Sequence, residues 1–244
     1  MDRGIWICWY NLPEKGRDDY LAWVHGTYIP TLLKRPGFLW AAHYASYDNV
    51  AISGEAGRLT NVKSGEVPTG DRYILMFGAE NAHVFANPTP QELHAQFTET
   101  DRKMLALRVG ERSNIMAEEA RVHGPDAKRP EAEMALSPCV QLGSFNAGKY
   151  QEEDELAAWY AQWRLPCMQK MPGCVRVRKL VSVSGWAKHA ILYEFVSARA
   201  RNEKFVDHES VNPEKEAWTD RVVRKLVHAP GSPNLARRIW PPVQ

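Results

Sequence analysis

Asp18-Asp19-Tyr20-Leu21-Ala22-Trp23 is followed by Pro30 and then by Pro36-Gly37. Asp154-Glu155-Leu156-Ala157-Ala158-Trp159 is followed by Pro166 and then by Pro172-Gly173. Both stretches fit W-x6-P-x5-P-G, and the second lies 136 positions after the first (Trp23 to Trp159). Between Asp18 and Gly37 this offset pairs identical residues at Asp18, Ala22, Trp23, Pro30, Lys34, Pro36 and Gly37, seven of twenty positions. Agreement at that level marks an internal repeat.

Working outward, both copies predict the same order of elements. In the first, Ile5 to Tyr10 is rich in aromatic and β-branched residues and reads as a strand. Leu21, Val24, Tyr28 and Leu32 recur at helical spacing, with Asp18 and Asp19 in the first turn, where the helix dipole favours them. Pro30 should kink or tighten the last turns, and Pro36-Gly37 should end them. Strands follow at Phe38 to Tyr47 and Arg72 to Gly78, a capped helix at Thr89 to Leu105, and a weaker strand at Asn114 to Val122. The second copy predicts strands at Val140 to Phe145, Cys174 to Val183, His189 to Phe195 and Asn234 to Trp240. Its helices fall at Glu152 to Leu165, Ala198 to His208 and from Pro213 through Lys225. Val175-Arg176-Val177-Arg178 alternates as a half-exposed strand would.

Each copy is therefore a β-α-β-β-α-β unit, the ferredoxin-like split βαβ order. Helices cover one face of such a sheet, and the bare face needs a partner. The expected fold class is α+β: two ferredoxin-like repeats, residues 1–130 and 137–244, packed sheet to sheet as one pseudo-dimeric barrel.

The 244 residues carry 31 Lys plus Arg against 29 Asp plus Glu, a formal net charge of +2, too weak a field to gather nucleic acid. Arg176 to Lys179 and Arg221 to Lys225 read as solvated faces. Apolar runs such as Ile74 to Phe77 fall far short of the roughly 20 residues a membrane span needs. The N-terminal residues lack a signal-peptide pattern, and Cys8, Cys139, Cys167 and Cys174 form no C-x-x-C, so a reducing, cytoplasmic setting is expected. There is no H-E-x-x-H, G-x-S-x-G, P-loop or G-x-G-x-x-G.

The W-x6-P-x5-P-G passage in a unit of this size, together with Ala229-Pro230-Gly231-Ser232-Pro233 before the last strand, resembles the dimeric α+β barrel superfamily and, within it, the EthD-like proteins. The resemblance spans nearly the whole chain as two fused copies. It implies a pocket in each unit between sheet and helices. In catalytic members a His or Tyr there does acid–base work in an apolar cavity. Family chemistries include cyclases, lactone isomerases, cofactor-independent monooxygenases and haem enzymes.

His25 is the first catalytic candidate: its counterpart in the second copy is Ala161, and an imidazole titrates near neutrality. His43 (counterpart Lys179) and Tyr28 (counterpart Arg164) are candidates for orienting a substrate. By strand alternation Ala41 and His43 share one face, and Trp40, Ala42 and Tyr44 the other. Trp9, Trp23, Trp40, Tyr73 and Phe77 are candidate substrate-binding aromatics. The first copy also carries a long connection, 48–71, in place of the tight turn at Ser184-Gly185-Trp186. Such connections are usually lids, binding loops or disordered segments. The first copy is thus expected to keep the working pocket and the second mainly to complete the barrel.

The function expected is a cofactor-independent acid–base enzyme (cyclase, isomerase, lyase or oxygenase in type) acting on a small hydrophobic, aromatic or polyketide-like molecule. No cofactor, metal, nucleic acid or membrane partner is expected, and a homodimer of the fused barrel stays open. One alternative is a non-catalytic ligand-binding or assembly module. Another is a haem enzyme with His25 or His43 as axial ligand.

Overall fold

The alternating and continuous apolar runs become ten strands and the amphipathic ones eight α-helices among the described residues of the computed structural model, which are 1–47, 59–63, 65–127, 136–209 and 212–243. The first half runs β1 (Gly4–Asn11), α1 (Arg17–Trp23), α2 (Ile29–Leu33), β2 (Phe38–Ser46), β3 (Thr60–Asn61), β4 (Tyr73–Ala79), α3 (Pro90–Ala95), α4 (Glu99–Leu105) and β5 (Val109–His123). The second runs β6 (Cys139–Asn146), α5 (Glu153–Trp159), α6 (Leu165–Met168), β7 (Cys174–Ser184), β8 (His189–Phe195), α7 (Ala198–Glu209), α8 (Pro213–Val223), β9 (Val227–His228) and β10 (Asn234–Trp240).

Between α1 and α2 the chain makes a five-residue π turn, Val24–Tyr28, and between α5 and α6 another, Tyr160–Arg164. Proline explains both. Pro30 and Pro166 have no N–H, so the carbonyl four residues earlier loses its usual donor. The ladder steps out instead, with Ile29 N–H reaching Val24 O and Leu165 N–H reaching Tyr160 O. Proline thus widens the helix where the sequence suggested a kink or tightening. The stops are also alike: Gly37 and Gly173 have φ of 84° and 87°, and a Cβ at either would press on Val84 or Ala200.

Two other expectations shift. Thr89 to Leu105 is two short helices, because Thr98 caps a second start as Thr89 caps the first. The strand expected to be weak is the longest, β5, with 15 residues.

Strand pairing runs β10-β2-β4-β1-β5-β7-β8-β6, and β6 pairs back to β10. The result is a closed eight-stranded antiparallel barrel with helices outside. The first half contributes β2-β4-β1-β5 and the second β7-β8-β6-β10, the same order read by position in each half. The seams are β5 with β7 and β2 with β10.

Strand alternation sorts side chains into three clusters. Ile5, Ile7, Trp9, Trp40, Tyr44, Met76, Leu180 and Leu192 fill the barrel. Trp6, Cys8, Tyr10 and Phe77 lie under the first-half helices, and Phe145, Tyr193 and Phe195 under the second-half ones. Truncating an aliphatic side chain as buried as Ile7 or Leu192 costs about 2–5 kcal/mol.

The basic run on β7 is not a solvated face. Arg176, Arg178 and Lys179 are 1%, 0% and 2% exposed. Glu194 pairs with Arg176, Asp2 pairs with Arg178 and Arg121, and Trp40 Nε1 donates to Asp2. These carboxylates let the guanidinium groups enter the barrel; nothing local in the run announces them. Arg221 and Arg224 are, by contrast, exposed as expected.

Candidate functional site

β1, β2 and the first π turn bring three side chains into one hydrogen-bonded series. Tyr10, on the helix-facing side of β1, has its Oη 2.9 Å from His43 Nε2. His43, on the same side of β2, has its Nδ1 2.8 Å from His25 Nε2. Tyr10 also hydrogen-bonds Tyr20, whose Oη accepts from Arg108 Nε at 2.7 Å. Tyr73 stacks on Tyr10 and lies against His43, and Trp240 stacks on the outer ring, His25.

The series runs from interior to surface. Tyr10 and His43 are wholly buried and His25 is half-buried. Burial holds the His43 imidazole well below its ordinary pKa, with His25 and Arg108 adding to the effect, so His43 is neutral near pH 7. Burial also lowers His25. Burial drives the Tyr10 phenol well above its ordinary range. Arg108 loses solvation, yet the Tyr20 hydroxyl that accepts from it and the Glu111 carboxylate at 2.6 Å keep it charged, and its guanidinium lies 4.7 Å from the Tyr10 ring centre.

Tyr28 is 1% exposed and shares its hydroxyl with His94 at 2.8 Å. It belongs to the same cluster but bonds neither candidate histidine in this arrangement. Trp23 is tied to Asp101 and packs on Tyr20 and Tyr28. Phe77 stacks on Trp6 below Tyr28. Trp9 and Trp40 do not join this group, because strand alternation turns them into the barrel interior, behind His43. Tyr10 could have been selected from alternation alone, since it shares a face with Trp6 and Cys8. Arg108 and His94 lie outside any readable strand pattern and carry no local signal.

The second half differs position by position. Ala161 stands where His25 does, and Lys179, bonded to His189 and Glu119, where His43 does. Arg164 donates to Tyr193 at 2.7 Å. Here lies a cavity of about 50 Å³, bounded by Tyr160, Arg164, Tyr193, Thr219 and His228. His228 is 5% exposed, its Nδ1 meets no partner among the described residues, and burial takes its pKa down to about 4. The second half thus carries a cavity of its own as well as completing the barrel. Leu59 borders it, Thr60 and Asn61 pair with Val227 and His228, and Asn61 Nδ2 donates to Ala229 O. Part of the connection expected to cover the first-half pocket therefore packs on the second half; residues 48–58 and 64 lie outside the described residues.

No group of three or more His, Cys, Asp or Glu suited to a metal occurs among the described residues, and the four cysteines are free and buried. A haem axial histidine needs a ring nitrogen free to face the porphyrin. Both nitrogens of His43 are engaged, with Tyr10 and with His25, while His25 spends only its Nε2 on the series. Of the two candidates, His43 as arranged does not fit an axial role, whereas His25 keeps a ring nitrogen outside this series. Among the described residues no helix is long and apolar enough to cross a membrane.

No family model and no curated protein matches the sequence. Solved structures do. An anthrone oxidase-like protein superposes with a TM-score of 0.61 at 10% identity, over 98% of this chain and 91% of that one. A monooxygenase-like protein from Lactobacillus acidophilus gives 0.55 at 12% identity, over 98% and 94%. A dye-decolorizing peroxidase from Bacteroides thetaiotaomicron gives 0.52 at 10% identity, over 98% and 92%. Identities this low carry the fold and leave the reaction to the site.

Proposed function

On the dimeric α+β barrel fold of this chain, we propose an enzyme that moves a proton to or from a small hydrophobic, aromatic substrate, with His25 as the catalytic base or acid. The reading includes two ferredoxin-like repeats joined in tandem, which the shared strand order and the paired π turns support.

The observation that carries the proposal is the series Tyr10–His43–His25. His25 is the half-buried end, open to a substrate. A ring held at Nε2 by a neutral partner offers its other nitrogen in a fixed tautomer and direction, which is what proton transfer demands. His43 is a positioning residue: it orients His25, and Tyr10 orients His43. When His25 gains a proton, the His43 lone pair accepts the Nε2–H and steadies the imidazolium. The lowered pKa of His25 keeps the basic form present at neutral pH. Tyr73 and Trp240 flank the series with flat apolar surface suited to an aromatic ring.

Anthrone is the first probe, since it is aromatic and carries an acidic C–H. Under anaerobic conditions in heavy water, His25 would take the carbon-bound proton and return a deuteron, so the protein should speed deuterium uptake. His25→Gln should lose about 10²–10⁴-fold of that rate. Tyr10→Phe should lose less and shift the pH profile. Uptake no faster than buffer across a panel of acidic aromatic C–H compounds, or a rate indifferent to His25→Gln, would sink the reading. The alternative of simple ligand binding draws on the second-half cavity, and would show as stabilisation by a ligand without turnover.

A further inference from the structure

Arg112 lies on β5 opposite Trp9 of β1, on the face that looks into the barrel. It is 4% exposed. Its Nη1 donates to Ser144 Oγ at 3.0 Å and, more weakly, to the Trp186 carbonyl at 3.4 Å. Its Nε and Nη2 meet no acceptor among the described residues. The Trp9 ring lies 3.8 Å from the guanidinium carbon, and Trp9 Nε1 also lacks an acceptor.

Two features mark Arg112. Arg108, Arg121, Arg176 and Arg178 each have a carboxylate at 2.6–2.9 Å. Arg112 has none among the described residues, and burial alone pulls its pKa down to about 10, so it is still charged near neutrality. A buried cation without a counter-charge is strongly unfavourable. Its unsatisfied donors are also specific: Nε and Nη2 share one edge of the guanidinium, with N–H bonds nearly parallel. That edge is the fork that holds a carboxylate through two bonds at once. Water could accept from each N–H but would supply no charge. Ser144, Asn114 and Ser182 make this end of the barrel polar, and the turn between β7 and β8 borders it through Trp186 and Ala187.

We propose that the Arg112 fork, backed by the Trp9 ring, binds a small planar carboxylate inside the barrel, at a site separate from the His25 series on the outer face of the same sheet.

The test uses the full chain in a carboxylate-free buffer at pH 7, with ionic strength held by chloride. Formate and acetate should raise the melting temperature saturably, by about 2–4 °C at saturation. Arg112→Gln should abolish that rise, and Arg112→Met should fold without a carboxylate and ignore it, since it no longer buries an unpaired charge. Trp9→Phe should keep the rise and weaken the apparent affinity. A rise equal in wild type and Arg112→Gln, no saturable rise with either carboxylate, or stabilisation by sulfate and not by formate would each overturn the assignment. The His25→Gln variant should keep the carboxylate effect, so this result and the catalytic one can fail separately.

Discussion

The repeat singled out His25 and His43 as candidates by comparison with Ala161 and Lys179, and strand alternation grouped His43 with Ala41 without deciding whether that face met the helices or the barrel interior. What the sequence did not carry was their direct bond, which depends on a π turn and a strand meeting across 18 residues. The buried histidines have a collective effect. His43 is held well below the ordinary value, and His94 and His228 at about 4, in each case chiefly by burial. A histidine with a depressed folded-state pKa takes up its proton first in the unfolded chain. Unfolding therefore gains protons below pH 6.5, and stability falls as the pH drops from about 6.5 towards 4. Each such group contributes up to about 1.4 kcal/mol per pH unit in that window. The melting temperature should thus decline between pH 7 and pH 5, before most carboxylates titrate, and His228→Gln should flatten the decline. A profile flat to pH 5 would contradict the burial of these rings.

At the level of elements, helical spacing and proline position marked both first helices, but not the widened turn, since the same proline can kink, tighten or loosen a helix. Alternation undervalued β5, whose polar inward residues Arg112 and Asn114 broke the apolar pattern while serving the barrel interior. The π turn carries its own prediction. Pro30→Ala restores an N–H that the Gly26 carbonyl can accept, favouring an α turn over the π turn. The fold should survive with the melting temperature changed by a few degrees. The 2.8 Å approach of His25 to His43 should not, and proton-exchange activity should fall about tenfold or more. Pro166→Ala makes the matching change where Ala161 stands in place of histidine, and should leave that activity unchanged. Equal activity in both variants would separate the π turn from the site.

For the whole molecule, an α+β barrel was readable from the sequence, whereas the strands that meet at its seams were not. The seam between β5 and β7 is bridged by charges distant in sequence. Asp2, the second residue, is 1% exposed and joins Arg121 of β5 to Arg178 of β7. Burial opposes its ionisation, yet Arg178, Trp40 and Arg121 hold its pKa below the ordinary value. Asp2→Ala would leave two guanidinium groups buried without that partner, a loss of about 3–5 kcal/mol, seen as a lower denaturant midpoint in one cooperative transition. Loss below 1 kcal/mol would mean that Glu118 and Glu194 neutralise the pair unaided.

Closure of the barrel also bears on how copies of the chain could associate. Each of its eight strands has a hydrogen-bonded neighbour on both sides. An incoming strand would find no row of free backbone donors and acceptors along the barrel wall, so one common route to sheet-mediated assembly and fibre growth is blocked there. Association along the wall must therefore rest on side chains rather than on backbone pairing, so substitutions of exposed side chains would tune it without disturbing the strand ladder.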